Sequence, residues 1–209
     1  MNPHIRAAQE IVTGIINEIR SKKNRYVITI AGESGSGKTE TGKAIKQVLQ
    51  EYGISSLLLG QDNYFNLPPL ANDAMRKSDP EWLGPHKEVN LHLLEENLMK
   101  SVAGADSIII PHIDYYSNNK IDLEIDLKGI KVIIVEGTYT SLLKHVDTRI
   151  FIDADYKDTL KYRKLRNRGN EVDDPFTEGI LETEHKIIAG HKYLADYIIS
   201  KSYEVVAVE

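Results

Sequence analysis

Apolar residues recur at intervals of three and four near the start of the chain: Ile5, Ala8, Ile11, Val12, Ile15, Ile16 and Ile19. That spacing predicts one face of an amphipathic helix over residues 3–22, within an N-terminal segment of residues 1–24. The polar face is mixed rather than strongly basic. This favours packing beside the first strand over a membrane-surface or dimer helix. Tyr26-Val27-Ile28-Thr29-Ile30-Ala31 is a continuous apolar run that reads as a strand. Helical spacing returns with Ala44, Ile45, Val48 and Leu49, giving a helix over 43–52 that stops at Gly53. Residues 54–59 read as a second buried strand, 107–110 as a short one, 132–135 as a central parallel strand and 149–153 as another. Helices are expected over 89–102, over 156–168 (basic, ending at Gly169) and over 180–193, with closing strands at 197–200 and 203–208. Strands alternating with helices argue for an α/β fold, a parallel sheet wrapped by helices. No repeat, low-complexity tract or linker divides residues 1–209, so one domain is expected.

Two stretches break the alternation. Residues 66–86 are rich in Pro, Asn and Asp, carry Trp82, and show no period. Residues 111–128 are polar and aromatic, and read as a hairpin turning through Asn118-Asn119. Aperiodic stretches this long are usually functional. Segments 62–86 and 111–128 are therefore expected on the substrate side.

Composition narrows the class. The chain has 209 residues, a net charge of −5 and no cysteine. It has no global basic field to recruit nucleic acid or acidic membranes. Without cysteine there is no disulfide and no thiolate zinc site or nucleophile. No apolar run reaches the length of a membrane span, and the first residues lack a signal-peptide core, so cytoplasm is the expected location. His86, His92, His112, His145, His185 and His191 show no compact metal-binding spacing.

The chemistry centres on Gly32-Glu33-Ser34-Gly35-Ser36-Gly37-Lys38-Thr39, which reads G-x-x-x-x-G-K-[ST] between the first strand and the following helix. In that context the pattern is a phosphate-binding loop. Its glycines let successive N–H groups turn toward phosphate oxygens, and the next helix presents its positive end to the same anion. Lys38 would reach the outer phosphates and Thr39 would ligate Mg²⁺. The nucleotide-binding set is taken as Gly32 through Glu40. Ligands of open parallel sheets sit beyond the carboxyl ends of the strands. Asp62 and Glu136 stand at such ends, Asp62 as a general base for a substrate hydroxyl and Glu136 as a metal-holding carboxylate. The basic run Lys161, Arg163, Lys164, Arg166 and Arg168 suits a lid over 156–174, with Arg166 and Arg168 closing on the phosphoryl group. Tyr64, Tyr115 and Tyr116 are aromatic candidates for the acceptor wall, and His86, His112 and Trp82 lie in the same loops.

Two short patterns compete. Asn119-Lys120-Ile121-Asp122 matches N-K-x-D and Asp126-Leu127-Lys128-Gly129 matches D-x-x-G, as in GTP-driven switches. Switches place D-x-x-G well before N-K-x-D, whereas here the order is reversed and the two nearly touch, which marks chance matches.

Taken in order, the marks resemble the uridine kinase / phosphoribulokinase family. They are the phosphate loop, Gln61-Asp62-Asn63-Tyr64-Phe65, Pro111 with Asp114-Tyr115, the valine-rich strand with Glu136-Gly137, Arg149–Asp153 leading to Arg163–Arg168, and residues 191–199. The resemblance implies a P-loop kinase fold of about five parallel strands. It also implies ATP with Mg²⁺, Asp62 as base, and Asp62, Tyr64, Asp114 and Tyr115 on the substrate side. Family members often self-associate, which makes a homo-oligomer an expectation as well. A uridine- or cytidine-like nucleoside is the acceptor the family implies first. A non-nucleoside alcohol (pantothenate-like, vitamin or sugar phosphate) is the alternative, and a non-catalytic nucleotide binder is the other. The departures bear on that choice. Ile113 stands at the family's tyrosine position, and Asn118 and Lys120 stand where a nucleoside-holding His and Arg are expected. Leu83-Gly84-Pro85-His86 replaces the segment that reaches the sugar.

Overall fold

The computed structural model describes residues 2–114, 117–160, 163 and 174–208. The first helix, α1 (Pro3–Ser21), starts where the Asn2 side chain accepts from the His4 N–H at 2.9 Å, with proline at the first helical position. Its apolar stripe is wholly covered by the protein's own core. β1 (Tyr26–Gly32) runs straight into the phosphate loop, which opens α2 (Lys38–Glu51). Then come β2 (Ser56–Gly60), α3 (Pro69–Ser78), α4 (Leu91–Val102), β3 (Ser107–Asp114), β4 (Asn119–Asp126), β5 (Val132–Glu136), β6 (Thr148–Asp153), α5 (Pro175–Ile188), β7 (Tyr197–Ser200) and β8 (Val205–Ala207).

The main sheet has the order β2-β5-β1-β6-β7-β8. Its first five strands are parallel, matching the expected number, and β8 closes the edge antiparallel to β7. Because side chains alternate along a strand, Tyr26, Ile28 and Ile30 pack with Val132 and Ile134 beneath α1 and α2. Val27, Ile133 and Val135 face the opposite layer, where Leu94 and Leu98 of α4 and Ile188 of α5 cover them. Each fully buried aliphatic side chain contributes about 1.5–3 kcal/mol.

The register sets the site. Ile30 pairs with Glu136, and Gly60 pairs with the same Glu136. The carboxyl ends of β1, β5 and β2 therefore lie level, and whatever follows them emerges along one edge.

Several expectations needed revision. Residues 66–86 contain α3, whose only buried residue is Asn72, so no apolar stripe announced it. β3 continues through Pro111 to Asp114, because its only described sheet partner is β4 and a two-stranded ribbon tolerates proline. The helix expected over 180–193 starts earlier, at Pro175, and gives way to a 3₁₀ turn at Ala189–Leu194. Among the described residues, no helix is long and apolar enough to cross a membrane.

Candidate active site

The phosphate loop is built as its spacing requires. Gly35 and Gly37 take φ of +80° and +92°, a region that disfavours side chains. A Cβ on Gly37 would also lie 2.8 Å from His4 Cε1, so α1 backs the loop from behind. His4 is fixed there by Thr41 Oγ1 at 3.0 Å and by an edge contact with Tyr203. Gly37 caps α2 without a side-chain bond, which leaves the helix's first N–H groups to the loop's mouth. Lys38 Nζ donates to the carbonyls of Gly32 at 3.0 Å and Glu33 at 2.8 Å, a folded-back position at the mouth of the loop. The Glu33 side chain turns inward and meets His185 Nδ1 of α5 at 2.5 Å. Burial pushes its carboxyl above the usual range, and the histidine opposes that. Glu40, counted with the nucleotide set, instead projects outward from α2 and pairs with Lys43 at 2.8 Å. A helical first turn carries its third residue away from the loop.

Across the sheet edge, Thr39 Oγ1 donates to Glu136 Oε1 at 2.9 Å. These are the two metal candidates, adjacent as a shared cation would require. Glu136 also lies beside Gly60, whose Cβ position is 3.6 Å from its Oε1. Asp62 follows in the 3₁₀ turn Gln61–Tyr64 and is exposed. Gln61 anchors that turn, since its Oε1 accepts from the Tyr139 N–H at 2.7 Å.

A cap is made by α3, the loop after it and the β3–β4 hairpin, the segments expected on the substrate side. Asn63 Oδ1 accepts from Ile113 N at 3.2 Å, Asn118 Oδ1 from Leu70 N at 3.0 Å, Lys120 Nζ donates to Phe65 O at 2.9 Å, and Asn66 Nδ2 to Lys87 O at 2.7 Å. Within the cap, buried Glu88 receives Asn72 Nδ2 at 2.7 Å and Arg76 Nε at 2.5 Å, while Trp82 Nε1 donates to Asn72 Oδ1 at 2.7 Å. Trp82 is thus a cap anchor.

Not every expected acceptor residue reaches a cleft. Tyr64 is a correction: it is fully buried in the second core, where its hydroxyl accepts from Asn97 Nδ2 at 3.0 Å and burial pushes its pKa up to about 12. Asp114 ends β3 and accepts from Ser117 Oγ at 2.6 Å. Arg163 is 2% exposed and ties the Tyr156 carbonyl to Glu178 of α5. Tyr115, Tyr116, Arg166 and Arg168 lie outside the described residues. The N-K-x-D and D-x-x-G matches fall on and just after the exposed strand β4.

Residues 27–189 match the Phosphoribulokinase / Uridine kinase family. The chain belongs to that family. It is 32% identical over 195 residues to a bifunctional alpha-galactosidase/sucrose kinase of Mediterraneibacter gnavus, covering 88% of this chain but 21% of that protein. It is 32% identical over 188 residues to a uridine kinase of Staphylococcus aureus, covering 85% of this chain and 88% of that one. The fold is similar to a D-glycerate 3-kinase from Cryptococcus neoformans (TM-score 0.64, 14% identity, 98% of both chains). It is also similar to phosphoribulokinase from Rhodobacter spheroides (TM-score 0.64, 13% identity, 86% of this chain and 71% of that one). These kinases carry different acceptors in their names on one shared frame.

One residue of this family member escaped sequence reasoning. Glu184 sits on α5 and is 9% exposed. It shares the buried face of that helix with Leu181 and Ile188. An acid at the i+3 position of an apolar stripe was the available signal.

Proposed function

We propose that this protein is an ATP-dependent phosphotransferase whose acceptor is a hydroxyl of a small, non-nucleoside metabolite. The observation that carries the reading is the register that brings Lys38, the Thr39–Glu136 pair and Asp62 to one edge of the sheet. Gly32 to Thr39 fit a nucleotide triphosphate, and Thr39 with Glu136 fit its Mg²⁺, which would neutralise developing phosphate charge when bound. Lys38 exchanges its loop carbonyls for phosphate oxygens. Asp62 orients the acceptor hydroxyl and takes its proton as that oxygen bonds to phosphorus and the bond to the departing diphosphate breaks. Arg166 and Arg168 are proposed to close over the transferring group.

Against a nucleoside stand three positions where a base or ribose would be read. Ile113 is 3% exposed, while Asn118 and Lys120 are engaged with the main chain of Leu70 and Phe65. The test is ADP release from ATP and Mg²⁺ across nucleosides, sugars, vitamins and sugar phosphates. Acceptor-dependent release should be lost by at least about 100-fold in Asp62→Asn, with ATP binding retained. Near wild-type turnover in that variant would refute the assignment of the base.

A further inference from the structure

Beyond the phosphate loop, the buried polar atoms near the strand ends that have no hydrogen-bond partner among the described residues include Gln61 Nε2, the Tyr139 hydroxyl and Glu184 Oε2. Gln61 and Tyr139 are each 1% exposed and Glu184 is 9% exposed. They belong to one neighbourhood. Gln61 precedes Asp62 and holds the Tyr139 main chain. Glu184 lies within electrostatic range of Lys38, Asp62, Arg76 and Glu88, and Tyr139 within range of Glu184, Glu88 and Arg76. A buried polar group without a partner destabilises the fold, so three in one neighbourhood call for an explanation outside folding.

Their chemistry describes a ligand. An amide N–H donates, a phenol donates and accepts, and a carboxyl accepts; together they suit hydroxyl groups. They do not suit an anion. Glu184, Asp62 and Glu88 are acidic, Arg76 is already bound by Glu88 at 2.5 Å, and Lys38 serves the phosphate loop. Nor do Tyr64 and Tyr139 offer a base a face to stack on. Tyr64 and Tyr139 are buried, and the Arg76 guanidinium lies 6.0 Å over the Phe65 ring.

We infer that the acceptor is an uncharged polyhydroxy compound, a sugar or polyol, and that Glu184 binds one of its non-reacting hydroxyls beside Tyr139 and Gln61. Asp62 addresses the reacting hydroxyl. This rests on the kinase reading above and narrows it. Burial pushes the Glu184 carboxyl up to about 7, consistent with a group that meets neutral hydroxyls rather than a cation.

The experiment uses the full chain with ATP and Mg²⁺. ADP release is measured with neutral sugars and polyols, with nucleosides, and with anionic acceptors such as glycerate and sugar phosphates. The best acceptor is then compared in wild type, Glu184→Met, Glu184→Gln and Tyr139→Phe. Neutral sugars or polyols should be the acceptors. Glu184→Met should raise the acceptor KM roughly tenfold or more and leave the ATP KM in place, and Glu184→Gln should recover part of the loss. Glu184→Met should also melt at or above the wild-type temperature, because an unpaired buried carboxyl has gone. A merely structural glutamate would instead lower the melting temperature and leave the acceptor KM unchanged. That result overturns the role of Glu184, with Tyr139→Phe as the independent check if Glu184→Met does not fold. Activity confined to anionic acceptors overturns the narrowed substrate class and spares the reading above, whereas activity confined to nucleosides overturns both the class and the non-nucleoside acceptor and leaves only the phosphotransferase. No acceptor-dependent release above the Asp62→Asn background overturns both.

Discussion

Glu88 offers the sharpest test of how the cap over the strand ends is held. Its side chain is fully buried and receives Asn72 Nδ2 at 2.7 Å, Arg76 Nε at 2.5 Å and the Gly84 N–H at 3.3 Å. Glu88→Ala would leave the Arg76 guanidinium, only 19% exposed, without its counter-charge, and would strip an acceptor from Asn72. Breaking a buried pair from one side costs about 3–5 kcal/mol. A protein of this size holds about 5–15 kcal/mol in total and loses about 2–4 °C of Tm per kcal/mol. The expected drop is therefore roughly 6–20 °C, read by circular dichroism melts and matched by urea titration. The double variant Arg76→Met/Glu88→Leu removes both charges and should recover much of that loss, since an apolar replacement of a buried pair is often neutral. A Glu88→Ala drop below about 2 °C, or a double variant no better than the single, would refute the reasoning.

Other outcomes follow from the same geometry. A Cβ at Gly137 would stand 2.2 Å from Gln61 Cβ, so Gly137→Ala should displace the turn carrying Asp62 and lower turnover more than ATP affinity. Equal losses in both would count against that route. The Glu184 carboxyl moves from 4.5 to about 7, chiefly by burial, with Glu88 and Asp62 adding and Arg76 and Lys38 opposing. Between those pH values the folded chain keeps a proton that the unfolded chain has released. Stability thus falls as pH rises through the window and levels off above it. The melting advantage of Glu184→Met over wild type should be smallest near pH 4.5 and largest above about 7; a difference independent of pH would contradict the shift.

Much of the frame was legible because it rests on patterns local in sequence. Buried parallel strands write themselves as apolar runs, and the phosphate loop must keep its glycines, lysine and threonine in fixed order. Asp62 and Glu136 could be placed by one topological rule, since each stands at or just past the carboxyl end of a strand of the same sheet. What escaped is held by contacts between distant segments. α3 buries Asn72 alone and is secured by Glu88 and Trp82, so no hydrophobic period betrays it. Tyr64 shares a 3₁₀ turn with Asp62, yet that turn points it at Asn97 of α4, which only the folded chain brings near. Glu184 is hidden for the opposite reason: on paper it interrupts an apolar stripe, and the charges that surround it, Lys38 and Asp62 among them, come near only in the folded chain.

The four ties that close the cap share a property with practical weight. Each joins a side chain to main chain: Asn63 to Ile113 N, Asn118 to Leu70 N, Lys120 to Phe65 O and Asn66 to Lys87 O. The side chains of residues 65, 70, 87 and 113 are consequently spectators to the fastening. They can be exchanged without cutting a tie, so the cap can be re-lined for a new acceptor while its clasps stay shut. Phe65, only half-buried, is the natural position at which to begin such a redesign, because it sits on the segment that carries Asp62.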